Sequence, residues 1–91
     1  MRTWTILLVL LQSLGLAAAA RAADLQCTTA DRSAWRQPAE IKGMLERHGF
    51  TNVGAIRPDD GNCYVVQATD NTGARRTLYL DPTDGALMAV E

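Results

Sequence analysis

The sequence predicts an α+β fold, with one short helix packed on an antiparallel meander of three or four strands and a cleaved signal peptide in front. Three observations predict it. Ile41, Met44 and Leu45 form an apolar stripe at helical spacing, bracketed by Pro38 and Gly49. Three clusters rich in Asp, Asn, Pro, Thr and Gly then recur at regular intervals and leave strand-length segments between them. Two cysteines, Cys27 and Cys63, provide one covalent staple for a chain whose core is thin.

Residues 1–22 read as the leader. Arg2 gives a positive start, an apolar run extends from Trp4 to Leu16, and Ala17 to Ala20 supply small residues before Arg21. Cleavage after Ala20 or after Ala22 satisfies the small-x-small pattern, and Ala22 is favoured. A membrane anchor fits less well, because the apolar stretch falls short of the ~20 residues needed to cross a bilayer and contains Gln12, Ser13 and Gly15. A lipid-attachment signal centred on Cys27 fails, since Asp24 and Gln26 occupy positions that need apolar and small residues.

Residues 23–37 are polar and small apart from Trp35, and are expected as an extended lead-in held down at Cys27 and Trp35. The folded domain is expected over residues 38–91. Pro38 suits a first helical position, and Glu40 places a carboxylate in the first turn, where the helix dipole favours it. His48 continues the stripe, Gly49 offers a left-handed stop, and Phe50 can fold back on the apolar face. The helix is therefore expected over 38–48. Gln37 is a weak cap and Gly43 weakens the interior, so packing must hold the helix.

Turns are expected at Pro58-Asp59-Asp60-Gly61-Asn62, Asp70-Asn71-Thr72-Gly73 and Asp81-Pro82-Thr83-Asp84-Gly85. Strands are expected at Asn52–Arg57, Cys63–Thr69, Arg75–Leu80 and Ala86–Val90. In the second, Tyr64, Val66 and Ala68 share one face. In the third, Leu78 and Leu80 share one face, with Thr77 and Tyr79 on the other. Loops this short demand antiparallel neighbours.

The whole chain has nine basic and ten acidic residues, and loss of Arg2 and Arg21 with the leader leaves seven against ten, near −3. The largest basic cluster is the pair Arg75-Arg76, so a nucleic-acid or anionic-membrane surface is excluded. An even number of cysteines in a small exported domain reads as a disulfide, Cys27 to Cys63. A redox or zinc pair is the weaker reading: there is no C-x-x-C, and only His48 could join the two sulfurs.

These residues carry a wider pattern. A tryptophan precedes a short helix ending in Gly49-Phe50. A strand Gly61-Asn62-Cys63-Tyr64-Val65-Val66-Gln67-Ala68 follows, then a turn ending in Gly73, then Leu78-Tyr79-Leu80-Asp81-Pro82-Thr83-Asp84-Gly85. From Cys27 to Val90 the chain resembles the PepSY domain family, in particular its small stand-alone periplasmic members of proteobacterial type. The resemblance implies a helix on an antiparallel sheet, a periplasmic or secreted location, and no catalysis. Related domains occur in propeptides of secreted metallopeptidases and are linked to chaperoning or inhibiting the protease. The chain departs from the family at Val65, where glutamate is common, near Arg76, where an apolar residue is usual, near Thr77, where an acidic one is, and by the extra Asp84 before Gly85.

No motif for chemistry emerges from the residues themselves. His48 is the only histidine and suits a helix C-terminus, and neither Ser33 nor a threonine falls in a nucleophile–base motif with it. Asp59, Asp60, Asp70, Asp81 and Asp84 do not follow the EF-hand order and read as turn formers. No metal or other cofactor is expected. The predicted contact face is the outer side of the sheet, with Val65 beside Tyr79 as an apolar centre and Thr77 and Arg75 around it; a free sheet edge could equally take a partner strand. The expected function is a non-catalytic periplasmic binding module for a protein partner, a peptidase by family resemblance, with no stable membrane insertion once the leader is removed. The alternatives are a small structural or sensory envelope protein that binds a ligand or cation or self-associates, and a thiol-active protein using Cys27 and Cys63.

Overall fold

The computed structural model describes residues 24–91; the leader expected at residues 1–22 lies outside the described residues. Among the described residues the order is a short 3₁₀ turn (Arg32–Ala34), helix α1 (Pro38–Arg47), and strands β1 (Arg57–Pro58), β2 (Tyr64–Thr69), β3 (Arg75–Leu80) and β4 (Leu87–Val90). The strands form one antiparallel sheet in the order β1-β2-β3-β4, as short turns require. No helix among the described residues is long and apolar enough to cross a membrane.

Helix α1 begins at Pro38, and the Glu40 carboxylate accepts the Gln37 backbone N–H at 3.3 Å. That bond supplies half of a capping box and offsets the poor side chain of Gln37. At the other end Phe50 N–H donates to the Leu45 carbonyl and Gly49 N–H to that of Glu46, each at 3.1 Å, the Schellman arrangement. Gly49 takes φ of +95°, a conformation that favours glycine. The helix ends one residue earlier than the stripe predicts, because His48 leaves it as the cap and is exposed rather than part of the buried face.

The β2–β3 register places Tyr64 opposite Leu80, Val66 opposite Leu78 and Ala68 opposite Arg76. Ile41 and Leu45, one helical turn apart, close on Tyr64, Val66, Ala68, Leu78 and Leu80, with Trp35, Met44, Phe50, Val53 and Ile56 packed around this core.

The expected first strand is largely absent. Asn52 takes φ of +49°, which breaks the pleat, so the segment meets β2 only through a bridge from Thr51 to Thr69, one bond from Gly54 N–H to the Gln67 carbonyl, and the two residues of β1. Pro58, expected in the turn, belongs to this edge strand, where a missing N–H is tolerated.

The turn aspartates bond their own loops. Asp59 Oδ1 accepts N–H groups of Gly61 and Cys63 at 2.9 Å, Asp81 Oδ1 that of Thr83 at 2.8 Å, and Asp84 Oδ1 that of Ala86 at 2.9 Å. Asp70 is held most firmly, by the Thr72 hydroxyl at 2.6 Å, Arg76 at 3.0 Å and the Ala74 N–H at 3.0 Å, and these bonds keep its carboxyl well below the usual carboxylate range. A depressed folded-state pKa means that its contribution is complete above the unfolded value of 3.8 and is lost as pH falls below it toward the folded value. Urea midpoints measured between pH 6 and pH 2 should therefore fall in acid, and Asp70→Asn should flatten that decline; an identical pH profile in the variant would show that Asp70 is not the linked group.

A disulfide joins Cys27 to Cys63. Beside it Cys27 N–H donates to the Gly61 carbonyl at 2.9 Å, and Asn62 Nδ2 donates to the Thr28 carbonyl at 3.3 Å. Further along, the lead-in departs from a purely extended path at the Arg32–Ala34 turn, which brings Trp35 edge-on to Tyr64 with ring centroids 5.4 Å apart. Tyr64 Oη donates to the Arg36 carbonyl at 2.8 Å, and Arg36 N–H donates to the Pro82 carbonyl at 2.8 Å. Gly61 is buried beneath the lead-in, where an added methyl would collide with the Leu25 carbonyl oxygen. Gly61→Ala should cost about 1–3 kcal/mol by forcing the backbones apart; a thermal melt within 1 °C of the parent would show that the two segments are not in contact.

Candidate functional site

Of three candidate contact surfaces, the first is the outer side of the sheet, where the sequence places Val65, Tyr79, Thr77 and Arg75. The register sets Val65 opposite Tyr79, Gln67 opposite Thr77, and Thr69 opposite Arg75, so all four expected residues lie on one face, opposite the helix. They are not equally available. Tyr79 is buried, with 8 % of its surface exposed, and its Oη donates to Glu91 Oε1 at 3.2 Å. Burial first, and the Glu91 carboxylate second, push its phenol above the ordinary value. Val65 and Thr77 are half-buried, and with Arg75 and Gly54 they line a shallow hollow of about 290 Å³. The Arg75 guanidinium donates to the Asn52 carbonyl and, at 3.2 Å, to Thr69 Oγ1, so it forms a fixed wall of that hollow. The expected apolar centre is therefore mostly Val65.

The second surface lies at the N-terminus of α1. Arg32 stacks over Trp35 at 4.6 Å, and Arg36 bonds Glu40 at 3.4 Å and the Thr83 carbonyl at 3.2 Å. Its cations are thus already committed to the aromatic ring, a carboxylate and a backbone carbonyl.

The third surface was not anticipated from the sequence. All of the exposed large hydrophobic residues among the described residues fall on β4: Leu87 at 47 %, Met88 at 43 % and Val90 at 47 %. Leu87 pairs with Leu80 and Val90 with Leu78, so both continue the core face of the sheet beyond the cover that α1 provides. A groove of about 310 Å³ runs between this strand and the helix, lined by Met44, Leu45, Phe50, Leu80 and Leu87. The signal available in the sequence was the unbroken run Leu87-Met88-Ala89-Val90, which does not alternate; a β-bulge between Tyr79 and Leu80 accommodates it.

For chemistry the described residues offer little. His48 Nδ1 lies 2.8 Å from the Met44 carbonyl, within hydrogen-bond reach, and no three His, Cys, Asp or Glu side chains gather as metal ligands among the described residues. Both cysteines are consumed in the disulfide.

The family model of the peptidase propeptide and YPEB domain, PepSY_2, matches residues 5–91, nearly the entire chain. Domains of this family are generally propeptide or regulatory modules and are typically extracellular or periplasmic. No curated protein and no solved structure matches the chain. A helix over an antiparallel sheet, a match that runs almost end to end and the motifs from Trp35 to Gly85 together place the chain: it belongs to the PepSY_2 family of peptidase propeptide and YPEB domains.

Proposed function

We propose that the chain is a non-catalytic module that acts outside the cytoplasm by binding an exported peptidase and restraining or chaperoning it. The observation that carries this reading is the peptidase-propeptide match over nearly the whole chain. The disulfide supports the compartment, because such bridges persist in oxidising surroundings. The leader pattern of residues 1–22 supports export, with the product periplasmic or secreted. The sheet supports the mode of action: it offers a partner the Val65–Thr77–Arg75 hollow on its outer face, with Tyr79 paired beside Val65.

The test is direct. The exported protein is added in rising amounts to the secreted and periplasmic peptidases of an expressing proteobacterium, with fluorogenic casein as substrate. Saturable inhibition, or increased recovery of active peptidase on refolding, is expected. Unchanged hydrolysis and unchanged recovery at hundredfold excess would overturn the reading.

A further inference from the structure

The two edges of the sheet are unlike. The β1 edge is two residues long, contains Pro58 and is charged at Arg57, all features that discourage strand pairing. The β4 edge is open. Thr77 and Glu91 exchange both backbone bonds, at 3.0 and 2.9 Å, so in antiparallel alternation the next pair, Leu78 and Val90, exchanges none. The Val90 N–H and carbonyl therefore point away from the sheet, beside the exposed Leu87, Met88 and Val90 side chains and the apolar groove under α1.

The charges around this edge choose its occupant. Asp84 precedes the apolar segment and Glu91 follows it, and residues 77–91 contain Asp81, Asp84 and Glu91 but no lysine or arginine. Arg36 reaches the Thr83 carbonyl but is paired with Glu40, and Arg76 is paired with Asp70. Pairing two copies of β4 would bring together two edges that each carry Asp84 and Glu91 and no lysine or arginine, a like-charge arrangement that opposes association. A foreign strand with basic residues at both ends meets the opposite situation.

We propose that β4 is a strand-addition site for an extended segment of a partner protein, apolar in its centre and flanked by lysine or arginine. The partner extends the sheet through Val90, and its core-side residues fill the strip beyond α1 formed by Leu87, Val90 and the groove. The proposal rests on the protein-binding reading above and gives the partner a second contact, apart from the outer-face hollow.

The experiment uses the exported protein and two synthetic probes of about ten residues, long enough for one strand. One probe has alternating valines between paired lysines, and the other has glutamates in place of the lysines. Fluorescence anisotropy should show binding of the basic probe, weakened by salt, and about tenfold weaker binding of the acidic one. Val90→Pro removes the outward-facing donor together with the valine side chain and should weaken the basic probe about tenfold or more. Val90→Lys, which charges the edge without altering the backbone, should do the same if the proline variant melts early. Equal affinity for both probes, unaltered binding by Val90→Lys, or a concentration-dependent dimer abolished by Val90→Lys would each overturn the proposal. Peptidase inhibition distinguishes the two levels. Inhibition that survives Val90→Lys defeats strand addition and leaves the module reading standing, whereas probe capture without any effect on peptidases does the reverse.

Discussion

Replacing Cys27 and Cys63 together by serine should lower the melting temperature by about 20 °C. The disulfide spans a sequence separation of 36 residues, and opening a loop of that size returns ~3–4 kcal/mol of conformational entropy to the unfolded chain. In a domain this small each kcal/mol moves the midpoint by about 4–8 °C. The loss is local as well as global. Cys27 anchors the lead-in to the Gly61 turn, and the remaining ties there are two hydrogen bonds, from Cys27 N–H and Asn62 Nδ2. Farther along, Trp35 holds its edge-to-face contact with Tyr64 only while the lead-in stays docked. Differential scanning calorimetry of the oxidised parent and the double variant gives the shift. Trp35 is the only tryptophan after the leader, so its fluorescence reports whether the lead-in detaches at lower temperature than the sheet melts. Equal melting temperatures would mean that the bridge does not constrain the unfolded chain.

Leu78→Ala should cost about 3 kcal/mol, within the 2–5 kcal/mol range for truncating a fully buried leucine. Leu78 has no exposed surface and sits at the centre of the sheet, between Val66 on β2 and Val90 on β4, under Ile41 and Leu45. A single helix covers it, and the sheet is anchored on both sides, so the cavity has little freedom to collapse. Val90→Ala provides the contrast. Val90 lies on the same face only one strand away but is 47 % exposed, and its truncation should cost no more than about 1 kcal/mol. Urea denaturation should show a large fall in midpoint for Leu78→Ala and a small one for Val90→Ala, with slopes unchanged. Similar costs would mean that a further element covers β4 in the folded protein.

The contrast between these two positions also shows how far the sequence could be read. The helix was legible because Pro38, the Ile41–Leu45 spacing and Gly49 each act through local geometry. The β2–β3 hairpin was legible because Tyr64, Val66, Ala68, Leu78 and Leu80 alternate, and alternation fixes which face is buried. The segment 52–57 was not, because whether an asparagine adopts a left-handed conformation depends on its surroundings; Asn52 does, and the strand is interrupted there. Val65, Thr77, Tyr79 and Arg75 share the outer face by register, yet Tyr79 is buried there and bonded to Glu91 across the β3–β4 pairing, which no local pattern encodes. The exposure of Leu87, Met88 and Val90 escaped for a related reason. An apolar run at the end of a meander reads as core, and only the position of α1 over β2 and β3 shows that the helix stops short of it.

The sheet's unequal edges underlie both the fold and the way it is proposed to work, and amide hydrogen exchange measured by NMR on the monomeric, oxidised protein tests them residue by residue. Protection should alternate along the last strand: the Ala89 and Glu91 amides face β3 and exchange slowly, while that of Val90 points outward and exchanges at close to the rate of an unstructured chain. A Val90 amide protected as strongly as Ala89 would contradict the account, since it would mean that this edge is already occupied within the single chain.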